Sequence, residues 1–380
     1  MSGCDSAPTH KSSTKSQPAK KQTSTKRKST TQAKKPQNLH GPVSLYYMTH
    51  PKFPHKVCLL GDHHVIRPEP CPHSVRVDDW IYEMAQSGMN LDIFFEAPFP
   101  HKNTTIQQIE FTLSSALESY LKDARLKFDP SCYHQSKSNC KIKNSRLHYV
   151  DFRNLENDNI QPTIEILQNF KDVLIGLVDG TDLLQTDEET FINPKMMPAL
   201  KKHIKSWLKN DKTFIKTVRN KTKMRKLLHN QFVIDKINKQ LASFPPERHY
   251  MKDIILKKLT TTEKELFDKF PEVTKSQYDA LVKFIDSKDD NVKKLKEVLF
   301  PFVYMYLHVV MTNFYGDTYL VARMLRTYKN GPPSENSIVY MGDNHTIYIW
   351  GLLKELGFQT KYQVINPEQC LNISKLKLFE

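Results

Sequence analysis

Two stretches of the chain repeat one chemical pattern. Leu59-Leu60-Gly61-Asp62-His63-His64 and Tyr340-Met341-Gly342-Asp343-Asn344-His345 each close an apolar run with Gly-Asp-x-His. Glu96 follows a third strand-like run, residues 91–95, and brings a carboxylate to an equivalent place. Two imidazoles and one carboxylate form a mixed nitrogen and oxygen donor set that suits Zn, Mn, Fe or Co. His64, His345 and Glu96 are therefore the expected metal ligands, with Glu96 as ligand or general base. Asp62, Asp343 and His63 are expected to stand behind them, the aspartates accepting from the imidazoles. The bland alternative is that each Asp caps a turn and each His is a satisfied core residue. Asp151, two residues before Arg153, ends a fourth run; the pair either joins the site or forms an ordinary ion pair.

These residues need a scaffold that brings distant run ends together. Residues 57–60, 91–95, 147–150, 338–341 and 362–365 are short runs of the kind that form buried strands. Helical periodicity lies between them. Residues 74–87 carry Val77, Trp80, Ile81 and Met84 on one side behind a Ser74 cap, and 104–126 carry Ile109, Leu113, Leu117 and Tyr120. Residues 317–328, with Leu320, Val321, Met324 and Leu325 inward, and 348–356, before Gly357, are two more helices. This alternation predicts an α/β fold with a mostly parallel sheet covered on both faces by helices. In such a sheet ligands collect at the carboxyl ends of the strands, where both motifs and Glu96 stand. The glycines are expected to let the chain turn sharply as it leaves the sheet.

Charge divides the chain further. The net charge is +15. Residues 1–40 hold nine Lys/Arg against one acid, and residues 195–270 hold twenty against seven, so everything else sums to −6. The organisation expected is a disordered basic tail (1–40), a first part of the α/β domain (41–194), an all-α Lys-rich insertion (195–300) and a second part of the α/β domain (301–380). The tail has almost no large apolar residue to offset the entropy of ordering. Its Lys26-Arg27-Lys28 run either solubilises or serves as a nuclear signal or nucleic-acid contact. The lysines of the insertion are either solvated helix faces or a basic lid that draws nucleic acid or another polyanion.

No uninterrupted apolar run reaches the length of a spanning helix, so no membrane span is expected. The longest candidate, residues 299–311, contains Pro301 and His308 and reads as a buried helix. The N-terminus shows no apolar leader, so an intracellular place, cytoplasmic or nuclear, is expected. The six cysteines form no C-x-x-C pair, and reduced thiols are the default expectation. Cys132, His134 and Cys140 are either loop residues or part of a zinc clip.

The paired strand-end Gly-x-x-His motifs with a strand-end Glu between them resemble the TraB/Tiki/erythromycin-esterase/ChaN-like superfamily. The resemblance covers residues 55–190 and 310–367, and is closest from 339 to 357. It implies an α/β fold with a metal-dependent or His/Glu hydrolytic site in some members and haem binding in others. It carries His64, Glu96 and His345 over as site residues, and adds a catalytic Arg for which Arg323, Arg326 and Arg153 are candidates. The tail and the Lys/Asn-rich composition also resemble uncharacterised proteins of large DNA viruses, which implies a virion or host-cell location. The expected function is hydrolysis of an ester, lactone or peptide bond in a small-molecule or peptide substrate. Its alternatives are haem or metal binding without turnover, and a nucleic-acid-associated protein with a vestigial site.

Overall fold

The computed structural model describes residues 38–63, 71–98, 120, 122–123, 127–128, 142, 144–151, 161–179, 197–210, 212–328 and 335–379. In chain order the described strands are β1 (Asn38–His40), β2 (Ser44–Thr49), β3 (Lys56–Asp62), β4 (Ser74–Arg76), β5 (Leu91–Pro98), β6 (Ser145–Asp151), β7 (Asn336–Gly342), β8 (Gln359–Ile365) and β9 (Cys370–Asn372). The described α-helices are α1 (Val77–Gln86), α2 (Gln161–Asp179), α3 (Met197–Asn210), α4 (Lys212–Val218), α5 (Lys221–Leu228), α6 (Gln231–Leu241), α7 (His249–Asp268), α8 (Lys275–Asp286), α9 (Val292–Val310), α10 (Phe314–Leu325) and α11 (Asp343–Glu355).

Six strands form one sheet in the order β6-β5-β7-β3-β2-β8. β6, β5, β7 and β3 are mutually parallel, while β2 runs antiparallel to both β3 and β8. The sheet is thus mixed and mostly parallel, in an α/β arrangement. The two motif strands, β3 and β7, are direct neighbours, with Asp62 level with Gly342. β2 has no counterpart among the predicted strands. Its run, Ser44-Leu45-Tyr46-Tyr47-Met48-Thr49, owes its place to pairing on both edges.

Side chains alternate between the two faces of a strand. Tyr46, Met48, Val57, Leu59, Phe94 and Val339 point one way, into a core closed by α6, α7, α10 and α11. Leu45, Tyr47, Cys58, Leu60, Ile93, Phe95 and Tyr340 point the other way, against α1 and the small sheet β4-β1-β9. A third core is wholly helical. Ile166, Phe170, Phe214, Met224, Phe284, Leu299 and Phe302 fill it from α2, α4, α5, α8 and α9. Asparagines start several of these helices. Asn220, Asn230 and Asn291 each accept from a backbone N–H of the first turn, which satisfies a donor the helix itself leaves free.

Several sequence expectations need correction. Residues 38–40, assigned to the tail, form the central strand of the small sheet, and Leu39 is fully buried. Ser74 does not cap α1. It lies in β4, its hydroxyl donates to the Cys71 carbonyl, and the N-cap position is Arg76. The Lys-rich region is not one insertion with ends at 195 and 300. Its α6 and α7 are part of the layer on the sheet, while α2, from the supposed first part, and α9, which crosses residue 300, belong to the helical core. The apolar run 299–311 is helical but only half enclosed, because α9 packs on one side alone. Phe300, Tyr304, Leu307 and Met311 remain exposed. The readings for residues 1–37, for most of 104–126 and for Cys132, His134 and Cys140 lie outside the described residues.

Two of the cysteines are not reduced thiols. Cys71 and Cys370 form a disulfide with Cα atoms 5.8 Å apart, joining the segment before β4 to the first residue of β9 across 299 positions of sequence. Cys58 is a buried free thiol whose ionisation burial opposes. A cross-link that closes so long a loop removes much entropy from the unfolded chain. Cys71→Ser is expected to lower unfolding free energy by about 2–4 kcal/mol in chemical denaturation. Adding reductant should shift the denaturation midpoint of the wild type more than that of the variant.

Candidate functional site

The carboxyl ends of β5 and β7 and the start of α11 converge on Glu96. Glu96 shares the face of Phe94, under α10 and α11. Its Oε2 accepts the backbone N–H of Gly342 at 2.7 Å, at the N-cap of α11. The Gly342 N–H is one of the donors that the start of a helix leaves without an intrahelical partner. The other oxygen, Oε1, lies 3.6 Å from Nε2 of His345, in the first turn of the same helix. Nδ1 of His345 lies 2.8 Å from Oδ1 of Asp317, a buried residue of α10.

An ionised Asp317 can only accept, so Nδ1 of His345 carries the proton of that bond. Nε2 then turns a lone pair toward a second carboxylate. Two acceptors cannot face each other without something positive between them: a second proton on the ring, a water donating to both, or a cation. Two donors of one tetrahedral ion at about 2.0–2.2 Å stand roughly 3.3–3.6 Å apart. The 3.6 Å separation matches that spacing and exceeds a direct hydrogen bond. Imidazole with a carboxylate behind it is also the usual arrangement of a metal-binding histidine. Among the described residues no set of three His, Cys, Asp or Glu converges for a metal ion.

The motif residues separate onto two faces of the sheet. Asp62 shares the face of Leu60, and its Oδ2 accepts from the Tyr340 hydroxyl at 2.7 Å. Burial and the Asp62 charge push the Tyr340 phenol up. Asp62 was expected to orient a histidine; alternation puts it on the side of the sheet away from Glu96. Asp343 does lie on the Glu96 side. It accepts from the Ser44 hydroxyl, and its Oδ2 is 3.7 Å from Nε2 of His63. The partner that orients His345 is therefore Asp317, not Asp343. Neither motif glycine has a positive φ, so sharp turning is not their role. A Cβ on Gly61 would lie 3.0 Å from the Asp343 Cα and closer still to the Ser44 and Asp343 side-chain oxygens. Gly61 lets the first turn of α11 pass tightly over β3.

Arg323 is at a different level of the sheet. Its Nε–H donates to Nδ1 of His148 at 3.1 Å and its Nη1 to the Tyr319 hydroxyl at 3.2 Å. Nε2 of His148 in turn lies 3.2 Å from Oδ1 of Asp92, which also takes a bidentate bond from Arg146 at 2.5 and 2.7 Å. Asp92 precedes Glu96 by four residues of β5, about 13 Å along the strand. His148 is thus a neutral relay that accepts from a guanidinium and donates to a carboxylate. Burial and the Arg323 charge push it down to about 3. Burial opposes ionisation of Asp92, but His148 and Arg146 outweigh it and hold the carboxyl well below the usual range. Arg326 donates to Gln240 at 2.7 Å. His64, Arg153 and the Asp151 side chain lie outside the described residues; the backbone of Asp151 ends β6 at the same edge of the sheet as Glu96.

Sequence reading missed Asp317, Asp92, Arg146 and His148. Asp317 was legible, because it stands three and four residues before Leu320 and Val321 on the inward stripe of α10. Asp92, Arg146 and His148 were legible as polar residues at alternating positions on one face of two buried strands.

Comparison with family models, with curated proteins and with solved structures finds no match to this chain.

Two outcomes are expected. Gly61→Ala should cost about 1–3 kcal/mol in chemical denaturation, since a Cβ would overlap the hydrogen-bonded Ser44 and Asp343 side-chain oxygens and also meet the Asp343 Cα at 3.0 Å. For His148 the folded pKa lies below the unfolded one, so the unfolded state binds the extra proton. Stability should fall as pH drops from 6.5 toward about 3, by at most about 1.4 kcal/mol per pH unit. His148→Gln should flatten that slope in denaturation curves across the window. Parallel slopes for the two proteins would show that His148 is not held neutral.

Proposed function

We propose that the protein is a hydrolase of carbonyl substrates, an ester, lactone or peptide, with Glu96, His345 and Asp317 as its working residues. The supporting observation is the imidazole held between two carboxylates at the carboxyl edge of the sheet. With Asp317 as acceptor behind Nδ1, Nε2 is the nitrogen that faces Glu96. The Gly342 N–H donates to Oε2 of Glu96, and Oε1 is the oxygen that faces Nε2 of His345. A water within about 2.8 Å of both Oε1 and Nε2 fits over the pair. Oε1 takes its proton as the water oxygen bonds to the carbonyl carbon. The same proton goes to the leaving oxygen or nitrogen when its bond to that carbon breaks. A divalent cation, Mn, Zn, Fe or Co, would be held at Nε2 of His345 and by Glu96, with His64 as the third donor the sequence supplies, and its contribution is Lewis acidity toward the carbonyl. The resemblance of the paired Gly-x-x-His motifs supports the same reading.

The test is metal content by inductively coupled plasma mass spectrometry together with turnover of nitrophenyl esters, lactones and peptides. The wild type should hold one divalent ion per chain and hydrolyse one of these classes. Glu96→Gln and His345→Gln should each remove most activity, and the double variant should lose little more, because the two act as a unit. Asp317→Asn should lower metal affinity or activity by roughly 10–100-fold. A wild type that holds an ion or haem but turns nothing over is a binding protein, and the hydrolase reading then fails.

A further inference from the structure

Helix α9 is apolar on the side that faces away from the fold. Its inward residues Leu295, Leu299, Phe302, Met305 and Val309 fill the helical core. Its outward positions begin charged, with Lys293, Lys294 and Glu297, and then change character. Phe300, Tyr304 and Leu307, with Met311 at the C-cap, follow at spacings of four, three and four, one stripe along the helix. All four are between 45% and 60% exposed. The Phe300 and Tyr304 rings lie nearly parallel, 9° apart in plane with centroids at 6.1 Å. Other exposed large apolar residues, such as Phe232, Ile347 and Ile365, lie on separate elements. A helix that is hydrophobic all round is normally buried all round, and a contiguous exposed apolar ridge marks an interaction site.

We propose that this ridge is the face by which the protein docks on an anionic lipid bilayer. Charge selects the occupant. Residues 197–310, which contain α9, hold 25 Lys/Arg against 13 Asp/Glu, a net of +12. A second copy would bring like charge against like, whereas an anionic bilayer offers an apolar interior beneath negative headgroups. The stripe has the matching composition. Lys293 and Lys296 stand seven and four residues before Phe300, on the same side of the helix. Aromatic and aliphatic side chains beside lysines form the surface of a helix that lies in the headgroup boundary. The continuous run Val292–Leu325 is long and apolar enough to cross a membrane by length and composition, yet 47% of its best window is buried within the fold. That burial leaves one side of α9 for contact along the bilayer surface.

Flotation of the full chain with vesicles tests this, using phosphatidylcholine alone and phosphatidylcholine mixed with phosphatidylserine. The protein should float with the mixed vesicles, and the paired substitution Phe300→Ser, Leu307→Ser should weaken binding by about tenfold or more. Both positions are exposed, so the melting temperature should stay close to that of the wild type; a melting curve taken alongside checks that the variant is folded. Three outcomes overturn the proposal. The wild type fails to float with either vesicle. The variant floats as well as the wild type and salt releases both, which makes the attraction one of lysines alone. Or light scattering shows a wild-type dimer that the substitutions convert to monomer, which gives the ridge to a second copy.

Discussion

A carboxylate buried at the end of a strand must be given donors, and the bond from the Gly342 N–H to Glu96 does this. That bond joins the carboxyl end of β5 to the point where β7 becomes α11. It spends one oxygen of Glu96 on the helix start and leaves the other facing His345. The orientation of His345 in turn requires an acceptor behind Nδ1, and Asp317 on α10 supplies it. The candidate site is therefore the junction of a strand end, a helix start and a second helix laid across both.

Helix α10 is tied to its surroundings at two levels by chemistry of opposite sign. Asp317 reaches His345 of α11, which starts at the sheet edge, and Arg323 reaches His148 of β6 lower down. Between them Leu320, Val321 and Met324 pack against the apolar face of the sheet. The lower network sets Arg146 against Asp92 in a bidentate pair, which offsets the cost of burying the two, while Arg323 donates to the neutral imidazole and to the Tyr319 hydroxyl. A helix held this way has little freedom to rotate or slide, which is the condition for presenting a carboxylate to an imidazole within hydrogen-bond distance.

The helical region extends this framework on one side and leaves it on the other. Helices α6 and α7 complete the layer over the sheet, while α2, α4, α5, α8 and α9 enclose a core of their own. The high lysine content fits helices that are buried on one face and solvated on the opposite face. The exception is α9, whose outer stripe is apolar where its neighbours are basic.

Much of the architecture was legible in the amino-acid sequence. Five strands of the large sheet followed from short apolar runs and two helices from their periodicity, because these are local terms; α10 proved to span Phe314–Leu325 instead of 317–328, and α11 begins at Asp343, five residues before the expected start, with the Gly-Asp-x-His motif as its first turn. The edge at which Glu96, Gly342 and His345 gather followed from parallel strands ending in polar residues. Tertiary structure decided the rest, for reasons of long range. The face to which Asp62 or Glu96 points depends on register with neighbouring strands, so one motif aspartate went to Tyr340 and the other to Ser44. Asp317 became the partner of His345 only when α10 packed over α11. The bond between Cys71 and Cys370 joins positions 299 residues apart, a separation that no local pattern encodes. The exposure of Phe300, Tyr304, Leu307 and Met311 was equally hidden, since a sequence records that a helix is apolar on every side but not how many of those sides its own chain will cover.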